Sequence, residues 1–164
     1  MTDIQLPRAG IDKAQAYAEL LPQIAAMVEG EPDPIANLAN ASAALYHGLA
    51  HVSWAGFYKV RGAELVLGPF QGRPACIRIG RGRGVCGTAW ATGRPQIVPD
   101  VQAFPGHIAC DSASRSEIVL PLRHAGEVVG VLDLDSAELA AFDRLDLEKL
   151  EPLADLLAPH LAAL

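Results

Sequence analysis

The sequence predicts an α+β fold, a central antiparallel sheet with helices packed on it. Three observations carry this expectation. Two apolar helical segments open the chain, β-favouring runs joined by tight-turn signals fill its middle, and a leucine-striped helix closes it. The first segment, Asp12 to Val28, places Ala16, Leu20, Leu21, Ile24 and Met27 near helical spacing, with Pro22 expected to kink or divide it. In the second, Asp33 fits an N-cap and Pro34 the first helical position. Gly48 lies near the end of its Ala- and Leu-rich body, Ile35 to Leu49, which is apolar on most faces and expected to be buried. Val52 to Val60 and Ala63 to Phe70 read as strands joined at Arg61-Gly62. A short strand is expected at Ala75 to Ile79, a short helix from Cys86 to Ala91 ended by Gly93, and another short strand at Gln96 to Pro99. Asp100 to Ser116 has no apolar periodicity and reads as a long loop, a feature that in compact domains is functional or disordered. Glu117 to Arg123 and Glu127 to Leu134 flank a second hairpin turn at Ala125-Gly126. Asp143 to Leu164 is the terminal helix, striped by Leu145, Leu150, Leu153, Leu156 and Leu157. No repeat or linker interrupts the 164 residues, so a single domain over 1–164 is expected.

Composition excludes several function classes. Hydrophobic residues at 51% and charged residues at 20% suit a packed domain rather than a disordered chain. A formal net charge of -6, with Lys and Arg scattered, argues against nucleic-acid binding, which needs a concentrated cationic face. No apolar run approaches the ~20 residues of a membrane span. Met1 to Leu6 lacks the positive region and apolar core of a secretory signal. A cytoplasmic location is therefore expected, with neither nucleic acid nor membrane as partner. In that compartment disulfides tend to be transient and catalytic. Three cysteines is also an odd count, unsuited to a closed set of structural bridges.

Cys110 lies in the polar loop, beside Asp111 and close after His107. A thiol reacts as thiolate, and exposure near a cation or dipole favours that form. Cys76 falls at an expected strand start, and Cys86 at a helix start behind a glycine run, where the helix N-terminus favours negative charge. Both also fit the commoner case of a small buried apolar residue. Structural zinc sites use close Cys-x2-Cys pairs, and none is present, so neither a metal nor another cofactor is expected. Gly82-Arg-Gly84-Val-Cys-Gly87 matches the dinucleotide fingerprint letter for letter, yet it lies mid-chain with no βαβ unit around it. It reads instead as a loop opening a short helix, able to offer backbone N–H groups to an anion.

Glu117 opens one hairpin strand, while Asp133 and Asp135 end its partner. Residues two apart on a strand share a face, so antiparallel pairing can gather these carboxylates. Gathered carboxylates raise one another's pKa, leaving one as a general acid, or hold an ammonium group. Trp54 and Tyr58 alternate onto one face of the first strand and can line a pocket. The chain has no Gly-x-Ser-x-Gly elbow, Walker A loop or His-Glu-x-x-His motif.

Several segments, in order, look like one family: Ile35-Ala-Asn-Leu-Ala-Asn, Trp54-Ala-Gly-Phe-Tyr, Leu67-Gly-Pro-Phe-Gln-Gly and Gly82-Arg-Gly-Val-Cys-Gly-Thr. Gly106-His-Ile-Ala-Cys-Asp, Ser116-Glu-Ile-Val-Leu-Pro and Gly130-Val-Leu-Asp-Leu-Asp-Ser continue the pattern. Together they resemble the free methionine-(R)-sulfoxide reductases, which are GAF-domain enzymes. The resemblance runs from the first helix to the last. It implies a GAF-like fold and reduction of free methionine-(R)-sulfoxide to methionine, with regeneration by thioredoxin. It implies Cys110 as nucleophile, Cys76 and Cys86 as resolving thiols with Cys76 preferred, and substrate contacts from Trp54, Tyr58, Glu117, Asp133 and Asp135. A homodimer paired through terminal helices is a further expectation for a GAF protein. The rival expectation is a non-catalytic GAF module that binds a small ligand or senses redox state, because one fold hosts many functions.

Overall fold

Aspartate side chains set where three of the helices start. Asp12 accepts a hydrogen bond from the Gln15 N–H and opens α1 (Lys13–Glu29). Asp33 accepts from the Ala36 N–H and opens α2 (Pro34–Gly48), with Pro34 in the first turn. α4 (Arg144–Ala163) begins at Asp143, which forms a reciprocal capping pair with Asp146. α3 (Gly84–Thr92) has no side-chain cap and ends at Gly93, whose φ of 63° is left-handed. The computed structural model describes residues 4–108 and 112–164. α1 runs through Pro22 undivided, so of the two outcomes expected from sequence, a kink or a division, the division does not occur. Ala16, Tyr17, Leu20, Ile24 and Val28 are all buried along it, and that packing outweighs the one backbone bond the proline removes.

Six strands form one antiparallel sheet in the order β3-β2-β1-β6-β5-β4. They are β1 (Trp54–Arg61), β2 (Glu64–Gln71), β3 (Arg78–Gly80), β4 (Gln96–Val98), β5 (Ser116–His124) and β6 (Glu127–Ser136). Both predicted hairpins form, β1 with β2 and β5 with β6. β1 and β6, far apart in the chain, pair at the centre. The third strand starts later than the sequence suggests, because the residues before it are engaged elsewhere. The Arg73 and Cys76 carbonyls accept hydrogen bonds from aromatic side chains, and only the Ile77 carbonyl, which accepts from the Leu67 N–H, carries the contact with β2 one step further.

Period-two alternation divides the sheet into two faces. Ala55, Phe57, Ile118, Leu120, Leu132 and Leu134 face the core built by α1, α2 and α4. Trp54, Tyr58, Val119 and Val131 face a second, smaller cluster with α3, including Cys86, Ala89 and Trp90. The sequence places helices on the sheet; the structure places them on both of its faces. Among the described residues no helix is long and apolar enough to cross a membrane.

The larger layer is locked by one carboxylate. Asp146 is fully buried and accepts from the Tyr17 hydroxyl at 2.8 Å, Lys13 Nζ at 2.6 Å and the Asp143 N–H at 2.8 Å. His51 Nε2 lies 3.1 Å away. Burial works to raise the Asp146 pKa, but these partners outweigh it and hold the carboxyl well below the usual range. A depressed folded-state pKa gives stability that is present above the unfolded value and lost on acidification. Asp146→Asn should therefore lower stability at pH 7 by about 3 kcal/mol in urea unfolding. Parent stability should fall as pH drops below about 4, and the variant should lack that part of the slope. Glu148→Ala, which breaks only the exposed pair with Arg144, should stay within about 0.5 kcal/mol of the parent.

Candidate active site

Strand register gathers the acidic residues. Glu117 on β5 pairs with Asp135 on β6, and Val119 with Asp133. On the other side of β6, Trp54 pairs with Asp135 and Gly56 with Asp133. Alternation then puts Glu117, Asp133, Asp135, Trp54 and Tyr58 on the face that carries α3, where they line one pocket. Glu117 is 6% exposed and Asp133 5%.

Aromatic rings form one wall. Trp54 stacks on Phe70 with centroids 5.4 Å apart and lies 6.2 Å from Tyr58. Gly56 makes this possible, since a Cβ there would run into both Trp54 and Phe70. The polar atoms of the two rings point along the wall. Trp54 Nε1 donates to the Arg73 carbonyl at 3.0 Å, and the Tyr58 hydroxyl donates to the Cys76 carbonyl at 3.0 Å. Burial, then the nearby acids, push the Tyr58 phenol far up, so it stays a neutral donor.

The glycine run forms the opposite wall. Gly82 donates to the Gly87 carbonyl at 2.9 Å, and a Cβ on Gly87 would strike the Gly80 carbonyl. These glycines serve close packing between a turn and a helix, not a dinucleotide. Gly84, Val85 and Cys86 at the uncapped start of α3 line the pocket, with Arg83 and His107 nearby. Desolvation lowers the His107 pKa, which favours a neutral imidazole.

Cys86 is buried and free. Its Sγ lies 3.3 Å from Asp133 Oδ2 and 3.8 Å from Glu117 Oε1. Burial, then the charges of Asp133 and Glu117, push its thiol up. The helix start therefore does not activate this cysteine as the sequence alone suggests, because carboxylates face it more closely than any cation does. Burial likewise raises Glu117 well above the carboxylate range, with Asp133 and Asp135 adding to it. Asp133 rises to about 7, held back by hydrogen bonds to Cys86 and Glu117. Asp133 Oδ1 is buried without a partner.

Among the described residues, one group has donor atoms spaced for a cation: Cys86, Glu117 and Asp133, all within 4.8 Å of one another. An S–H hydrogen bond accounts for that spacing without an ion. Cys76 is half-buried and disulfide-bonded. Cys110 lies outside the described residues. Arg83, His107, Phe70 and buried Ser114 complete the site and were not singled out from sequence as site residues. The glycine-rich setting of Arg83 was the available signal; nothing in the pattern marks Ser114.

The family model for the GAF domain matches residues 35–162. Among curated proteins, the chain is 58% identical to protein YtsP of Bacillus subtilis, over 92% of this chain and 94% of that one. It is 49% identical to the free methionine-R-sulfoxide reductase of Escherichia coli, over 93% of this chain and 92% of that one. Among solved structures, the free methionine-R-sulfoxide reductase from Neisseria meningitidis, in complex with its substrate, superposes with a TM-score of 0.91. That match has 50% identity and covers 98% of this chain and 97% of the other.

The raised carboxyls carry a stability cost with a definite sign. Between their unfolded values near 4 and their raised folded values, the native state binds more protons than the unfolded chain, so stability falls as pH rises. Glu117→Gln should therefore be more stable than the parent by about 1 kcal/mol at pH 8. The two should converge at pH 4, as read by urea unfolding across pH.

Proposed function

Since the chain belongs to the GAF-domain family of free methionine-R-sulfoxide reductases, we propose that it reduces free L-methionine-(R)-sulfoxide to L-methionine. The observation that carries this reading is the buried carboxyl pair, Glu117 and Asp133, set beside an aromatic slot. A sulfoxide oxygen needs a proton as it leaves sulfur, and a buried carboxyl with a raised pKa supplies one near neutral pH.

Both ends of a free amino acid find complementary groups. The partnerless Asp133 Oδ1, with Asp135 beside it, suits the substrate ammonium. The uncapped N–H groups of α3 and the Arg83 guanidinium suit the carboxylate. A protein-bound methionine sulfoxide has amides at both positions and would leave the buried Asp133 Oδ1 without a cation, which is costly. Trp54 and Tyr58 then flank the thioether chain.

In the proposed cycle the Cys110 thiolate attacks the sulfoxide sulfur while Glu117 passes a proton to the departing oxygen. The sulfoxide S–O bond breaks, the protonated oxygen passes to the Cys110 sulfur to give a sulfenic acid, and methionine leaves with the two electrons Cys110 has given up. The Cys76 thiol condenses with it, expelling water and forming a disulfide. The disulfide-bonded state of Cys76 agrees with a resolving role, whereas Cys86 is buried and free. A dithiol reductant of the thioredoxin type reopens the disulfide through a mixed disulfide, at home in a reducing cytoplasm. No other cofactor enters the cycle.

Coupled NADPH oxidation with thioredoxin and its reductase tests this directly. The (R) epimer of the free amino acid should be consumed and the (S) epimer left. Tight ligand binding without turnover would instead make the chain a sensor. Cys110→Ser should abolish turnover, and Glu117→Gln should lower kcat about 100-fold. Cys76→Ser should release about one equivalent of methionine per protein and then stall, whatever the thioredoxin concentration.

A further inference from the structure

Cys86 is a buried thiol that the proposed cycle leaves unused. It sits on the third residue of α3, 3% exposed, and faces carboxyls from two different strands. A thiol has one proton to donate, and its nearer acceptor is Asp133 Oδ2 at 3.3 Å, against 3.8 Å to Glu117 Oε1. The asymmetry matters because the two carboxyls are asked for opposite things. One must be ionised to hold an ammonium, and the other must hold a proton to give away.

We propose that Cys86 is a positioning residue whose S–H, donated to Asp133, assigns those roles: Asp133 becomes the anion that seats the substrate ammonium, and Glu117 keeps the transferable proton. This deepens the reductase reading and rests on it. Other charged or titratable groups lining the pocket do not make the same distinction. Tyr58 on β1 spends its hydroxyl proton on the Cys76 carbonyl. Asp135 on β6 adds negative charge to both carboxyls' surroundings, and Arg83 and His107 line the pocket without a hydrogen bond to either acid among those described. The Cys86 contact lowers both carboxyls, but unequally: it is the largest of the influences that lower Asp133, whereas on Glu117 it ranks behind burial and the raising effects of Asp133 and Asp135, and Glu117 ends well above its usual range. Burial of Cys86, and its engagement with carboxylates that disfavour thiolate, also remove it from competition as the resolving thiol.

The test compares Cys86→Ala, which removes the donor, with Cys86→Ser, which keeps one on a slightly shorter arm. The readout that needs no turnover is the titration of 13C-labelled carboxyls by NMR, with Asp133→Asn for assignment. The Asp133 titration should move up by about half a unit in Cys86→Ala and return most of the way in Cys86→Ser. In kinetics, Cys86→Ala should raise KM about threefold at pH 6, with no change at pH 9 where Asp133 is ionised anyway, and should leave kcat within about twofold. Peptide mapping of the turned-over parent should find no disulfide at Cys86. An unmoved Asp133 titration in Cys86→Ala, a Cys86→Ser protein that behaves like Cys86→Ala, or a turnover disulfide containing Cys86 would each overturn the proposal. If the parent shows no turnover of the free (R)-sulfoxide, the reductase reading fails, while the NMR comparison still decides what Cys86 does to Asp133.

Discussion

Glu117 and Asp133 are taken out of water without a buried lysine or arginine beside them among the described residues, and much of the site follows from that constraint. Such carboxyls cannot both be charged at low cost, so protons and neutral donors must serve where counter-ions are missing. The Cys86 thiol and the shared proton of the pair are what the fold supplies. What it withholds is a partner for Asp133 Oδ1. A cationic ligand group completes the set, which makes an empty site a poorer arrangement than an occupied one.

The sheet lets the molecule carry this load. One face is closed by α1, α2 and α4 into an apolar layer pinned by Asp146, which has donors on every side. The other face holds the smaller cluster and the acids. Buried carboxyl groups thus show opposite behaviour on the two faces of one sheet. Asp146 is held far down because His51, Lys13, the Asp143 N–H and the Tyr17 hydroxyl surround it; Glu117 and Asp133 are pushed up chiefly by burial, with the charge of Asp133 adding to Glu117. The first arrangement holds helices together. The second lowers stability as pH rises and leaves a proton bound in the site.

Much of the fold was legible in the sequence, because hydrophobic period and punctuation report on local geometry. Asp12, Asp33 and Asp143 mark helix starts, and Gly93 and the turns at Gly62 and Gly126 mark ends and reversals. Two departures have a common cause in tertiary contacts that local pattern cannot see. α1 tolerates Pro22 because its apolar stripe is buried, and β3 starts late because aromatic side chains claim the carbonyls before it. In the site, alternation grouped Glu117 with Asp133 and Asp135, and Trp54 with Tyr58, while the β1–β6 pairing that sets both groups on one face was not readable from local pattern. Nor was the environment of Cys86. Its neighbours come from strands over thirty residues away, and the same helix start that looked activating is overruled by acids across the pocket.

The hydrogen bonds from Trp54 and Tyr58 to the Arg73 and Cys76 carbonyls join two jobs in one pair of side chains. The rings that measure the width of the slot are also the posts from which the cysteine-bearing segment hangs. Divergence is constrained accordingly. A descendant that widened the slot by trimming either ring would set its cysteine-bearing segment adrift in the same step. New ligand shapes should therefore arise first at the exposed Arg83 side chain, which can change without moving Cys76 or Cys86.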